Sequence, residues 1–368
     1  LHEEQSRQGM DSAFVHVIDR DLRNQPTVKP AHTIAAGFDH YILRDPGFSA
    51  PISVLRDRLT GLSSLGRARD VIHLHGINGA LRFADLAHFT RGKKVVWTLH
   101  DMNPFTGVCH YSLGCQQFRD GCNSCPALRR PARGIAPTML QKKIDAVSDL
   151  EDLTVVAPSA WLAEQAATSL VFNNTPVRVQ PNPISPVFFE ERPSGDGALY
   201  GARLSVVVVA ASLDDPLKNV SAVAGAFSRE FGEQSHVRLK LVGAGGERFR
   251  GPNIEVLGAV SASRLSSVLA QSDVLVVASL AENAPLVIPE AASQGCEALV
   301  ADVGGMPELV NSLGVGEVFR DSSNLAAMLQ QRLAVPQSQR ESTRRLLKRR
   351  AADIFSPAAV AKAYAKVY

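Results

Sequence analysis

Short, continuous runs of apolar and β-branched residues alternate along the chain with stretches whose apolar positions recur every three or four residues. The first pattern predicts strands buried on both faces, and the second predicts amphipathic helices. Strands are expected at 71–74, 95–99, 153–157 and 177–180, and again at 205–210, 237–242, 254–257, 274–278 and 299–301. Helical patterns lie between them at 53–65, 160–168, 219–231, 263–271 and 288–294. Residues 1–8 read as the second half of an amphipathic helix ended by Gly9, with a strand at 13–18. A complete α/β domain starts with a strand and a loop before such a helix, so residues are expected upstream of Leu1.

Between the two series, Pro181, Pro183, Pro186, Pro193, Gly195 and Gly197 mark an interdomain linker. Both halves follow the same strand–helix grammar, which predicts two doubly wound α/β domains. The expected bounds are 1–185 and 186–354, with a final helix at 355–368 returning to the first domain. Ligands of such sheets lie at the carboxyl ends of the strands near a switch point, and with two domains the natural site is the cleft between them.

Composition narrows the function classes. At 368 residues, 45% hydrophobic and 20% charged, the chain can bury a core in each half without disulfides. A formal net charge of +3 and an aromatic content of 6% give no electrostatic footprint for nucleic acid. Arg344, Arg345, Lys348, Arg349 and Arg350 are read as a solvated helix face, with peripheral contact to an anionic membrane as the second reading. No apolar run reaches the ~18 residues needed to span a bilayer, and no signal-peptide pattern opens the chain. A cytoplasmic location, with or without contact to the inner face of the membrane, is expected.

Chemistry concentrates at the predicted strand ends. The run Ser279-Leu280-Ala281-Glu282-Asn283-Ala284-Pro285-Leu286-Val287-Ile288-Pro289-Glu290 follows the strand 274–278, placing Glu282 in a loop at its carboxyl end. Pro285 or Pro289 fits a first helical turn, where a missing N–H costs little, and the amides there suit an anion. Glu290 then lies at the start of that helix or about two turns in. Two glutamates at this spacing are ordinary on a surface; their place at a strand–helix junction is what makes them candidates. Lys218 follows the strand 205–210 and is positioned to meet phosphates as a point charge, though alone it reads equally as a solvated lysine. Gly243, in Gly243-Ala244-Gly245-Gly246, permits close backbone approach to a nucleotide. In the first half, His100 ends one buried strand, and His73 and His75 end its neighbour. A satisfied core histidine is the plain alternative for either strand end.

In combination these residues resemble a known family. Glu282-x7-Glu290, Lys218, Pro181-Asn182-Pro183 and the run Asp302-Val303-Gly304-Gly305-Met306-Pro307-Glu308 are similar to the retaining GT-B glycosyltransferases of family four. The segment from Trp97-Thr98-Leu99-His100-Asp101 to Cys109-His110-Tyr111 resembles a bacterial subset that builds exopolysaccharide and other cell-envelope glycans. The resemblance implies GT-B architecture: two Rossmann-like domains and an interdomain cleft. It further implies transfer of a hexose from a UDP- or GDP-sugar to a glycan or lipid-linked acceptor, with retention of configuration and no catalytic metal. Glu282 would hold donor-sugar hydroxyls with Asn283, Ala284 and Leu286 beside it, Glu290 the ribose, Lys218 the diphosphate, and His100 the donor sugar from the opposite domain. The arginine that often precedes the lysine in this family is absent from Ala210-Ala211-Ser212, and the family's N-terminal glycine-rich loop is missing.

Cys109, Cys115, Cys122 and Cys125 form a separate cluster. Cys122-x2-Cys125 is a zinc half-knuckle spacing, so a structural zinc is one expectation and free thiols the other, with His110 as a substitute ligand and an iron–sulfur cluster less favoured. Cys296 reads as a small core residue. Two other functions fit less well: an NDP-sugar epimerase on the same fold, and a non-catalytic binding protein using the cysteine loop.

Overall fold

A computed structural model describes residues 2–8, 43–52, 70–77, 83–192, 204–234 and 236–368. The strand expected at 13–18, the helix at 53–65 and the linker from 193 onward lie outside the described residues. The chain divides into two compact units: His2–Gln180 with Ala363–Tyr368, and Pro181–Lys362.

The first unit contains α1 (His2–Arg7), β1 (Val71–Leu74), α2 (Leu86–Thr90), β2 (Lys94–Thr98), α3 (Ile135–Ser148), β3 (Leu153–Ala157), α4 (Ala160–Ala167) and β4 (Val177–Val179). Its sheet runs β1-β2-β3-β4, and every pair is parallel. Val95, Val96, Trp97, Val155 and Val156 are buried, as apolar strands covered on both faces must be. Trp97 packs edge-on against Phe172. Ser159 starts α4 by accepting a hydrogen bond from the Leu162 amide at 3.1 Å, a side-chain cap on an otherwise orphaned donor.

The second unit contains β5 (Leu204–Ser212), α5 (Val220–Phe231), β6 (Val237–Ala244), β7 (Ile254–Gly258), α6 (Ala262–Ala270), β8 (Val274–Val277), α7 (Val287–Ser293), β9 (Glu297–Ala301), α8 (Met306–Leu313), β10 (Glu317–Phe319), α9 (Ser322–Ala334) and α10 (Gln337–Phe355). A last helix, α11 (Pro357–Tyr364), follows. The sheet order is β10-β9-β8-β5-β6-β7, all parallel, so the direction of winding reverses between β5 and β8. That reversal is the switch point at which doubly wound sheets open toward a ligand. One face carries Phe227, Phe231, Leu239 and Leu241. The other carries Leu269, Ile288, Leu309, Leu347 and Phe355. Each such side chain contributes roughly 1.5–3 kcal/mol by leaving water.

The expected strands and helices that fall on described residues lie within a few residues of their observed bounds; β10 and the helices α2, α3, α8 and α9 are additions. β10 has only three residues, too few to register as an apolar run. The basic face of α10 is largely solvated as expected, with one exception. Arg344 turns inward and donates to the carbonyls of Ala270 and Ser272 and to the Asp273 carboxylate at 3.0 Å, while Arg345 and Arg349 remain exposed. Among the described residues no helix is long and apolar enough to cross a membrane.

Candidate functional site

At the carboxyl end of β5 the chain makes a tight turn. The Asp215 carboxylate accepts from the Leu217 amide at 2.9 Å, closing the 3-10 turn Pro216–Lys218, and Asn219 takes a left-handed conformation (φ 53°) to enter α5. Asparagine tolerates that conformation better than most residues. At the end of the adjacent strand β8, residues 279–286 form a loop. The two loops are tied by backbone, the Leu280 amide donating to the Leu217 carbonyl at 2.8 Å. Lys218 and Glu282 are therefore held together: Lys218 Nζ donates to Glu282 Oε1 at 2.6 Å, and Ser279 Oγ donates to the same oxygen at 3.0 Å. Glu282 is 7% exposed, so these partners replace much of its hydration. The lysine expected on a diphosphate and the glutamate expected on a sugar form a single charged unit.

Glycines set the approach of the surrounding loops. Gly304 (φ 59°), after β9, sits so close to Glu282 that a Cβ would meet the Glu282 carbonyl oxygen at 1.8 Å. The next amide, of Gly305, donates to the Asn283 carbonyl at 3.0 Å, locking the Glu282 loop from its far side. Gly243, at the end of β6, would meet the Ala210 carbonyl oxygen at 2.1 Å if it carried a Cβ. Four loops, after β5, β6, β8 and β9, thus converge at one end of the sheet.

Asn283 is buried, Ala284 half-buried, and Leu286 exposed as the residue that leads into α7. Glu290 lies in the first turn of α7, at its start and not two turns in, just after Pro289. With only seven residues, α7 brings few aligned peptide dipoles to an anion. Burial pushes the Glu290 carboxyl up to about 7, which leaves it able to donate as well as accept near neutral pH.

In the first unit, His73 lies within β1, His75 just beyond it, and His100 just beyond β2. His73 is fully engaged: its Nδ1 is 2.7 Å from the Tyr368 hydroxyl and its Nε2 2.7 Å from Thr98 Oγ1. Thr98 continues to the Tyr364 hydroxyl at 2.8 Å, and Gln5 Nε2 donates to the Tyr368 hydroxyl at 2.8 Å. His73 is thus the satisfied core histidine. Burial, then the neighbouring His75 and His100, depress it to about 2. His75 Nδ1 lies 3.0 Å from His100 Nε2, the rings meeting edge to edge with an interplanar angle of 21°. Burial and the His100 charge lower His75 to about 4, and burial lowers His100.

The loop after His100 has its own scaffold. Asp101 pairs with His110 Nδ1 at 2.6 Å and accepts from the Asn103 amide at 2.8 Å. Lys143, wholly buried on α3, donates to the carbonyls of Asn103, Thr106 and Gly107 at 2.6, 2.8 and 3.3 Å. Sequence reading gave no sign of Lys143 because it follows Lys142 on a helix where either could face solvent. Tyr364 and Tyr368 were legible only as part of a final helix; their spacing of four is the signal that they share a face.

Cys109, Cys115, Cys122 and Cys125 line one small cavity with Thr106 and Phe118, and all four are free thiols. Cys109 donates to the Cys125 sulfur, which raises Cys109 and lowers Cys125; the amides of Ala127 and Leu128 lower Cys125 further. Among the described residues no group of three or more His, Cys, Asp or Glu side chains is arranged to hold a metal ion. Cys109 and Cys125 are joined by a thiol–thiol hydrogen bond, and His110 is paired with Asp101. Cys296 is a buried core residue.

Residues 204–334 match the family model described as Glycosyl transferases group 1. A curated relative, the putative colanic acid biosynthesis glycosyl transferase WcaC of Escherichia coli (strain K12), is 23% identical over 148 residues. That match spans 35% of this chain and 35% of the relative, about a third of its length. Among solved structures, sucrose-phosphate synthase from Thermosynechococcus elongatus superposes with a TM-score of 0.58 at 17% identity, covering 81% of this chain and 73% of that one. A glycosyltransferase from Rickettsia africae gives 0.57 at 13% identity over 100% of this chain and 86% of that one. Anabaena Alr3699/HepE in complex with UDP-glucose gives 0.57 at 17% identity, over 83% and 80% respectively. The fold is that of the GT-B glycosyltransferases, with two Rossmann-like parallel sheets.

Proposed function

We propose that this protein is a retaining glycosyltransferase, moving a hexose from a nucleotide-diphosphate sugar to a glycan or lipid-linked acceptor in cell-envelope polysaccharide synthesis. The observation that carries the reading is the Lys218–Glu282 pair at the carboxyl ends of β5 and β8, inside the segment matched as Glycosyl transferases group 1. A nucleotide-sugar donor is supported by the relative solved with UDP-glucose, and an exopolysaccharide product by the colanic acid relative.

In this reading Lys218 meets the donor diphosphate as a point charge, and Glu282, aimed by Lys218 and Ser279, accepts hydrogen bonds from sugar hydroxyls. The buried amide-rich loop 282–284 lies beside it. Glu290 takes the ribose hydroxyls, and Gly243 lets the backbone approach the phosphates. His100 is the substrate-contacting residue of the first unit. The bond from the anomeric carbon to the phosphate oxygen breaks as the bond to the acceptor oxygen forms on the same face. The acceptor proton passes to the leaving phosphate. Charge developing on that phosphate is what preorganised cationic and amide donors stabilise. A metal has no assigned role in this chemistry, since Lys218 supplies the charge.

Thermal unfolding against a panel of UDP- and GDP-sugars tests the donor site. A donor at 100 times its Kd adds about 2.7 kcal/mol. One sugar nucleotide should shift the transition in the native protein and fail to do so in Glu290→Ala. No shift with any of them would remove the reading, and an inverted anomeric product would remove its mechanism.

A further inference from the structure

Two ring contacts join the three histidines at the ends of β1 and β2 into a single row, His75 packing against His73 at a tilt and meeting His100 edge to edge. His75 lies 4.1 Å, ring centre to ring centre, from His73, and 5.3 Å from His100, tilted by 35° and 21°. The His73 end is held at both ring nitrogens. Nδ1 is bonded to the Tyr368 hydroxyl, which also accepts from Gln5 Nε2. Nε2 is bonded to Thr98 Oγ1, which is bonded in turn to the Tyr364 hydroxyl. Both nitrogens of His73 are committed, and its ring cannot flip without breaking two bonds of 2.7 Å. It forms a fixed plate on which His75 rests.

His75 in turn faces His100 with a 3.0 Å contact from Nδ1 to Nε2. A bridge between two neutral imidazoles holds one N–H: one nitrogen donates and the other accepts. The protonation of His100 Nδ1 is therefore set by which ring supplies the bridging proton. The backbone beneath is rigid as well, since the Leu99 amide is bonded to the Val156 carbonyl of β3 at 2.8 Å.

We infer that His75 is a positioning residue, fixing the ring orientation and tautomer with which His100 meets substrate, and that His73, Thr98 and Tyr368 hold His75 in turn. The inference rests on His100 being the substrate contact of the proposed transferase. Misplacing a reacting or contacting group by about 1 Å costs on the order of 10²-fold in rate, which sets the scale of what His75 can contribute.

Two measurements test it. In protein labelled with ¹⁵N-histidine, long-range ¹H–¹⁵N spectra read the tautomer of His100 directly. His100 should show one tautomer in the native protein, a mixture in His75→Phe, which keeps a ring against His73 but loses the nitrogen, and one tautomer again in His75→Asn, which restores a polar atom near the Nδ1 position. An unchanged His100 spectrum in His75→Phe overturns the inference without reference to activity. Kinetics supply the second arm. His75→Phe should lower kcat about ten- to a hundredfold with KM within about twofold. It should cause no further loss in a His100→Ala background, and His75→Asn should recover most of the rate. Equal losses in both backgrounds would mean that His75 acts independently of His100, which also overturns it. A native protein inactive with every donor would remove the transferase reading, while the spectra alone would still decide the His75–His100 relationship.

Discussion

Lys218 and Glu282, 64 residues apart in sequence, share one hydrogen bond of 2.6 Å between the ends of β5 and β8. The lysine is partly solvated and the glutamate is not, their side chains being 29% and 8% exposed. Removing the lysine strands a carboxylate with only Ser279 to compensate it. Lys218→Ala should destabilise the protein by about 3 kcal/mol and lower kcat by about 10²–10³-fold. Lys218→Arg should recover stability more fully than rate, because its fork cannot reproduce a point charge. Chemical denaturation together with steady-state kinetics checks both.

Glu282→Ala should be at least as damaging to kcat as Lys218→Ala. Glu190→Ala serves as the contrast. Glu190 is a surface residue paired with Arg192 at 2.5 Å, with a side chain 59% exposed, and its loss should stay within about 0.5 kcal/mol and leave kcat unchanged. Equal activity in all three variants would refute the site.

Glu290 makes stability depend on pH in a defined direction. Burial raises its carboxyl from 4.5 to about 7, so between those values the native state binds more protons than the unfolded one. Stability therefore falls as pH rises through that window, and the penalty is complete above about 7. Glu290→Gln should be more stable than the native protein at pH 8 by about 1–2 kcal/mol, allowing for the remaining solvent contact, and no more stable below about pH 4.5. Thermal melts of the pair at pH 4.5 and pH 8 read the difference.

The histidine row has the opposite sign. His73 and His75 are depressed from 6.5 to about 2 and about 4, so the unfolded chain binds the additional protons. The stability these groups contribute is present above about pH 6.5 and is lost on acidification toward pH 4. Replacing His75 with Phe should flatten this part of the stability profile in denaturant titrations from pH 7 to pH 4.

Gly304→Ala should disrupt the donor loop without touching a charged group. The new Cβ would have to enter the space of the Glu282 carbonyl oxygen, and φ at this position is 59°. A cost of about 2 kcal/mol or more is expected from backbone strain alone. Loss of the thermal shift with sugar nucleotide should accompany it.

Strand positions were legible because parallel strands buried on both faces leave uninterrupted apolar runs; Val274–Val277 needs no partner to be recognised. Glu282 and Glu290 were legible as candidates because they flank such a run. What the sequence could not carry was pairing. Nothing local to Lys218 says that its partner is Glu282, nothing in Lys142-Lys143 says which is buried, and nothing near His73 points to Tyr368. These relations depend on which loops the sheet order brings together, and they are not encoded in spacing. The cysteines meet the same limit: a half-knuckle spacing fixes two thiols along the chain but not where the other two point.

The hydrogen bond from Tyr368 to His73 spans 295 residues. Every residue of Pro181–Lys362 is synthesised between the two partners. A nascent chain carrying β1 and β2 alone has His73 with its Nδ1 partner still unmade, and closing so long a loop is entropically slow. The histidine row is then completed only after the whole of Pro181–Lys362 has been made, although the strands that bear it precede that segment in the chain.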